Sequence, residues 1–289
     1  MKPLPLLTLL PRLPGLPGRL TTALFGATVL ELIVLTGHLA AYPFGLTQER
    51  RTPHRPPQAG SLPGSPAAER PVVLLHGFID NRSVFVLLRR ALARNGRRHL
   101  ASLNYSPLTR DLRTAAELLG RHVEEICART GQREVDIVGH SLGGLIARYY
   151  VQRLGGDHRV RTLVTLGTPH GGTAVAPGAG LHPLVRQMRS GSPLIEELRR
   201  PAPGCRTRFV SFWSELDQMM VPVGTACVDH PDLDAVNVRV TGIGHLALPV
   251  HPAVAAAVHE ALESTPHQAL ESQEAQEGTA PSTGTTSVA

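Results

Sequence analysis

The sequence predicts an α/β fold: a mostly parallel central sheet with helices on both faces and a small cap region. Two observations carry this. Short β-branched runs alternate with longer amphipathic stretches from residue 71 to residue 263, as when parallel strands are joined by crossover helices. One of those strands also meets the following helix through a tight small-residue turn, Gly139-His140-Ser141-Leu142-Gly143.

The elements follow in order. Val72-Val73-Leu74-Leu75 is a buried strand, and a helix from Arg82 to Asn95, stopped by Asn95-Gly96, leads to a strand over Leu100–Leu103. Asp111 is an N-cap for a helix reaching Thr130 before Gly131. Val135–Val138 is a strand, Leu142–Leu154 a helix and Arg161–Leu166 a strand, with the last strands at Arg208–Trp213 and Val236–Val240 and a closing helix over Pro249–Leu262. Between Gly172 and Cys205, the residues Leu181, Leu184, Val185, Met188, Leu194 and Ile195 recur in a helix-like arrangement that suits an acyl pocket, a small lid or plain core packing.

Four segments are expected: an N-terminal apolar segment over 1–46, a linker over 47–70, a catalytic domain over 71–263 and a disordered tail over 264–289. The linker is rich in Pro, Gly and Arg without apolar periodicity, and the tail carries hardly a bulky apolar residue. Leu20 to Leu46 is almost wholly apolar, follows Lys2, Arg12 and Arg19, and is long enough to cross a bilayer. Basic residues before an apolar run also describe a secretory signal, with Leu39-Ala40-Ala41 as a cleavage site. Glu31 and His38 lie inside the run, and a polar group at a helix centre costs a few kcal/mol on insertion scales. Membrane anchor, cleaved signal and core helix all stay open. The first two place the catalytic domain outside the cytoplasm, membrane-anchored or secreted.

The 289 residues carry a formal net charge of +6, mostly as arginines scattered through the chain, so no nucleic-acid partner is expected. The 14 histidines form no close His/Cys cluster, so neither metal nor other cofactor is expected. Of three cysteines at least one is unpaired; Cys127 reads as a small buried apolar residue, and Cys205 and Cys227 are either bridged or two free thiols.

In the Gly-x-Ser-x-Gly turn a serine between strand and helix is held in a strained conformation that presents its hydroxyl clear of the sheet, and small neighbours let the backbones approach. Ser141 is the candidate nucleophile. A serine needs a base to take its proton and a carboxylate to hold that base in one tautomer, in the chain order Ser, acid, His. His245, after the final strand, is the candidate base, with His230 and His251 as alternatives; His170 comes too early in the strand order. Asp217, just beyond the strand ending at Trp213, is the candidate acid, with Glu215 and Asp229 as competitors. His76-Gly77-Phe78 follows the first strand, so the amides of Phe78 and Leu142 are the candidate donors to an oxyanion.

These motifs, with Gly167-Thr168-Pro169-His170-Gly171-Gly172 and Gly244-His245, resemble the bacterial lipase and esterase families of the α/β-hydrolase fold over residues 71 to 262; the N-terminal end resembles, more loosely, anchored or secreted actinobacterial lipase-like proteins. The resemblance implies that His76, Gly77, His140, Thr168, Pro169 and His170 line the substrate site. It also implies carboxylic-ester hydrolysis through an acyl-serine, on lipid or other apolar acyl esters as small-molecule substrates, with membrane association through residues 20–46. The same triad could serve acyl transfer or thioester or amide cleavage, and a non-catalytic membrane-tethered binding module is the competing class. Paired aspartates of the kind that hold calcium in some such lipases are not evident after His245, so no calcium site is carried over.

Overall fold

The computed structural model describes residues 18–45, 70–105, 109–174 and 182–264. The expected linker, the expected tail and Leu181 lie outside the described residues, apart from the edge residues Arg70 and Ser264.

Among the described residues six strands form one sheet: β1 Val72–Leu75, β2 Leu100–Leu103, β3 Val135–His140, β4 Val160–Leu166, β5 Arg208–Ser214 and β6 Asp234–Val240. Their order is β2-β1-β3-β4-β5-β6 and every pairing is parallel. Among the described residues, seven α-helices accompany them: α1 Gly18–Gly45, α2 Val86–Arg94, α3 Leu112–Thr130, α4 Leu142–Arg153, α5 Pro183–Gln187, α6 Pro193–Leu198 and α7 Pro252–Glu263.

Local chemistry explains most boundaries. The Asp111 side chain accepts the Arg113 amide at the start of α3, and Gly131 closes that helix in the left-handed conformation at φ 72°. The helix expected from Arg82 opens instead as a 3₁₀ turn over Arg82–Phe85, capped by Asn81, before α2 begins. β3 runs two residues past its apolar core because Gly139 and His140 still pair with Thr165 and Leu166 of β4.

Alternation along the strands sends side chains to two cores. Val73, Leu75, Ile137, Leu163 and Phe209 pack against α3 and α4, whereas Val72, Leu74, Val138, Val164 and Phe212 pack against α2 and α7. The buried leucines and isoleucine of α5 and α6 belong to the first core, so core packing accounts for this small cap region. Arg113 and Tyr149 both bind the Glu197 carboxylate, and Arg148 donates to the Leu198 carbonyl at 3.1 Å, bolting α6 to α3 and α4. Near the amino-terminal end of β3, Asp136 is fully buried between Arg70 and Arg97, each 3.2 Å away.

All three cysteines are free thiols, so the Cys205–Cys227 bridge, one of two options in the sequence, is not formed.

The segment Leu24–Gly45 is long and apolar enough to cross a membrane by length and composition, with mean hydropathy 1.7. It nevertheless lies against the body formed by the sheet and its helices. Ala27, Leu30, Glu31, Val34 and His38 recur at helical spacing on its inner face, and Leu30 and Val34 meet the α2/α7 core. The last carbonyls of α1 are taken by the body: Tyr42 accepts from Asn81 at 2.9 Å and Gly45 from Asn104 at 2.7 Å.

Candidate active site

The chain leaves β1 for β2 on one side and returns to β3 on the other, so the strand order reverses between β1 and β3. Open parallel sheets bind ligands at the carboxyl ends of their strands beside such a switch point. The loop after β1 carries His76, Gly77 and Phe78; the turn after β3 carries Ser141.

Ser141 is held at φ 52°, ψ −120°, a conformation costly for a residue with a side chain. Three glycines make room for it. A Cβ at Gly139 would meet the Gly144 backbone at 2.6 Å, one at Gly143 the Leu75 carbonyl at 2.3 Å, and one at Gly144 the Thr168 hydroxyl at 2.0 Å. The elbow is pinned from the next strand, with the Ser141 amide donating to the Leu166 carbonyl at 2.9 Å and the Thr168 hydroxyl donating to the Ser141 carbonyl at 3.0 Å.

The loop after β5 turns Asp217 back under the loop after β6. Asp217 Oδ2 lies 2.8 Å from Nδ1 of His245, and its Oδ1 accepts the amides of Met219 and Met220 at 2.8 and 3.1 Å. One oxygen thus orients the ring while the other is held by the amides of its own loop. Burial disfavours a charged His245, but the Asp217 carboxylate outweighs it through charge and hydrogen bond, Glu31 and Asp80 add to it, and the pKa rises above that of an ordinary histidine. The pair reaches the elbow through His140, the residue before Ser141. The His140 and His245 rings lie 4.8 Å apart, and His140 Nε2 is 3.3 Å from the His245 carbonyl. Burial and the neighbouring His245 charge hold His140 far below the usual histidine range, so it stays neutral.

The competing residues are occupied elsewhere. Glu215 pairs with Arg239, whose guanidinium lies over Trp213, while Asp229 is exposed. His230 joins the Arg200 carbonyl and the Asp232 amide on a distant loop, and His251 precedes α7 as its N-cap residue.

Gly77 crosses directly over the elbow: a Cβ there would lie 3.3 Å from both Ser141 Cβ and His140 Nδ1. The loop that carries Phe78 thus passes over the turn into α4, whose first residue, Leu142, has an amide without a partner within its own helix. The Tyr105 hydroxyl donates to the His76 and Gly77 carbonyls at 2.7 and 3.0 Å, and its ring stacks on His76 at 4.2 Å. Burial lowers the His76 pKa to about 4, so that ring too is neutral near pH 7. The Phe78 ring meets His182 at 5.0 Å, at the start of the cap.

The residues expected to line the substrate site divide in two. Gly77, His140 and Thr168 abut the elbow, and Pro169, next to Thr168, is buried. The His170 ring is engaged by other side chains, with Nε2 2.9 Å from the Thr165 hydroxyl and Nδ1 3.4 Å from Arg148, both of them buried. His76 likewise supports the loop from behind, against Tyr105.

Three residues of the cluster escaped sequence reasoning. Asp80 follows the Phe78 loop; its carboxylate is 3.8 Å from His140 Nδ1, and burial raises its pKa to about 6. Tyr105 lies two residues past β2, with nothing local to mark it. Glu31 contacts the residues after His245 from 215 positions away. Among the described residues no group of His, Cys, Asp and Glu could hold a metal ion. A surface depression of about 850 Å³, lined by Glu117, Arg121, Glu124, Tyr150 and Arg159 among others, contains none of this cluster.

Fold and site together define a known class of architecture, the α/β-hydrolase fold. The family model described as "alpha/beta hydrolase fold" matches residues 70–193. Among solved structures the chain is similar to Aspergillus fumigatus lipase B, at 16% identity and TM-score 0.60, covering 68% of this chain and 52% of that one. It is also similar to Bacillus licheniformis lipase BlEst2 in its mature form, at 16% identity and TM-score 0.57, covering 75% of this chain and 96% of that one. A third likeness is to EstE1, a thermostable carboxylesterase cloned from a metagenomic library, at 17% identity and TM-score 0.52, covering 68% and 81%. The chain spans about half the length of the Aspergillus lipase, and at these identities the likeness is one of fold.

Proposed function

We propose that this protein is a serine hydrolase that cleaves carboxylic esters of apolar acids through an acyl-Ser141 intermediate. The observation that carries the proposal is the 2.8 Å bond from Asp217 to His245, set against the strained Ser141 elbow through His140. His245 accepts the Ser141 hydroxyl proton as Oγ bonds to the ester carbonyl carbon. The amides of Phe78 and Leu142 receive the negative charge that develops on the carbonyl oxygen. Collapse expels the alcohol, which takes the proton from His245, and water activated by the same ring then releases the acid and regenerates the serine. Asp217 keeps the Nδ1 proton in place, so that Nε2 is the basic nitrogen. Two fold relatives described as a lipase and one as a carboxylesterase support an ester as the substrate.

An apolar acyl group fits the surroundings. Phe25, Leu32, Ile33 and Leu39 are exposed along the outer face of α1, and Ile79 is exposed beside the Phe78 loop. With its inner face on the catalytic body and its outer face apolar, α1 suits a seat in the plane of a membrane surface, which would bring the site to lipid esters.

The test is hydrolysis of p-nitrophenyl esters from acetate to palmitate by wild type and Ser141→Ala, with fluorophosphonate labelling of both. Turnover and labelling confined to wild type support the reading. Labelling without turnover points to acyl transfer, and neither in wild type points to a binding module.

A further inference from the structure

We propose that Glu31 of α1 is a positioning residue for His245, so that the N-terminal helix completes the active site rather than merely tethering it. The proposal rests on the serine-hydrolase reading above.

Glu31 is the single acidic residue between Gly18 and Gly45. A carboxylate in so apolar a helix is unfavourable unless something satisfies it. Its two oxygens are satisfied separately: Oε2 accepts the Leu246 amide at 2.8 Å and Oε1 the Ala247 amide at 2.9 Å. These are the two residues directly after the candidate base. On the other side of His245, a Cβ at Gly244 would lie 2.7 Å from Glu31 Cδ, so the chain before the base approaches the carboxylate as closely as a glycine permits. Both flanks of His245 are therefore fitted to one side chain on another element.

The rest of the helix fixes Glu31 in place. Leu30 and Val34 flank it on the same inner stripe, the Gln218 amide donates to the Thr28 hydroxyl at 3.1 Å next to Asp217, and Asn81, Arg82 and Asn104 hold the helix end at Tyr42, Phe44 and Gly45. Charge-assisted bonds to consecutive amides give a fixed geometry that neutral contacts would not. The loop after β6 has turns in place of regular structure, so its ring position depends on such anchors.

Glu31 also acts on the base through space. Four groups face His245: Asp217 from the loop after β5, Asp80 from the loop after β1, His140 from the end of β3 and Glu31 from α1. The three carboxylates favour the imidazolium, so removing one lets the base lose its proton more readily.

The experiment uses the full-length protein in detergent micelles with p-nitrophenyl butyrate, comparing wild type, Glu31→Gln, Gly244→Ala and Thr36→Ala. Thr36 is exposed on the same helix, where its hydroxyl donates to the Leu32 carbonyl, and serves as the control. Glu31→Gln should lower kcat by about ten- to a hundredfold with little change in KM, as a displaced base does, and should move the acidic limb of kcat to lower pH. Gly244→Ala, which pushes the carboxylate away while leaving it charged, should lower kcat in the same way, and Thr36→Ala should match wild type. An active wild type whose Glu31→Gln and Gly244→Ala variants keep its kcat and acidic limb overturns the proposal, as does a loss of kcat in Glu31→Gln with the limb unmoved, which would mark a purely structural contact. A wild type that neither turns over nor reacts with fluorophosphonate removes the hydrolase reading itself, and this role with it.

Discussion

Asp217 divides its carboxylate between two tasks, one oxygen 2.8 Å from His245 Nδ1 and the other taking the amides of Met219 and Met220. Asp217→Asn can keep the second task but presents an NH2 group to Nδ1, which forces the opposite tautomer and removes the basic lone pair from Nε2. The expected outcome is a fall in kcat of about 10⁴-fold with little change in melting temperature. Steady-state kinetics beside thermal unfolding checks it; near-normal turnover would reassign the acid.

The pH profile follows from the same cluster. Turnover needs neutral His245, whose pKa is raised, so activity is lost as pH falls through a value above that of a free imidazole. Asp80, with a pKa of about 6, still bears its charge there and helps hold that limb up. Asp80→Asn should shift the acidic limb of kcat to lower pH, readable from a kcat series between pH 5 and pH 9 in mixed buffers of fixed ionic strength. A limb that stays put or moves upward would show that Asp80 does not act on the base.

Two glycines should separate rate from stability. At Gly77 an added methyl meets side chains, with Asp80 Oδ2 at 3.0 Å and Ser141 Cβ at 3.3 Å, which can give way. Gly77→Ala should therefore fold yet lose about a hundredfold in kcat as the Phe78 amide is displaced. At Gly143 the obstacle is the Leu75 carbonyl at 2.3 Å, part of β1, which cannot move without the sheet. Gly143→Ala should give little soluble protein. Equal expression of the two variants would contradict this packing.

Stability should depend on Asp136, buried between two guanidinium groups far from Ser141. Removing one partner of a buried pair leaves uncompensated charge, so Asp136→Ala should cost about 3–5 kcal/mol. At about 2–4 °C per kcal/mol for a domain of this size, melting should fall by several degrees or more. Calorimetry checks it; an unchanged midpoint would mean that water already shares this site.

What could be read in the sequence was local. Val72–Leu75 stood out because four consecutive apolar residues lie between a proline and a His-Gly turn, and the strand has those same bounds. The elbow was legible because its small residues are contiguous, and the steric demands that select them act over four positions. Asp217 is preferred to Glu215 only by its place in the loop, since two carboxylates two residues apart have nearly the same sequence context. The turn after β5 directs Asp217 inward to His245 and Glu215 outward to Arg239.

Periodicity and turn chemistry thus determined the alternating fold and the position of the serine, because both arise from interactions within a few residues along the chain. The tertiary structure alone decided which groups surround that serine. Glu31 was visible in the sequence only as a costly charge in an apolar run. It gains partners because α1 returns across the body to residues 215 and 216 positions away. Tyr105 gains its role because the strand before it pairs beside β1, which brings its hydroxyl under the loop that crosses the elbow. Such contacts depend on how elements pack, and packing distance bears no fixed relation to separation along the chain.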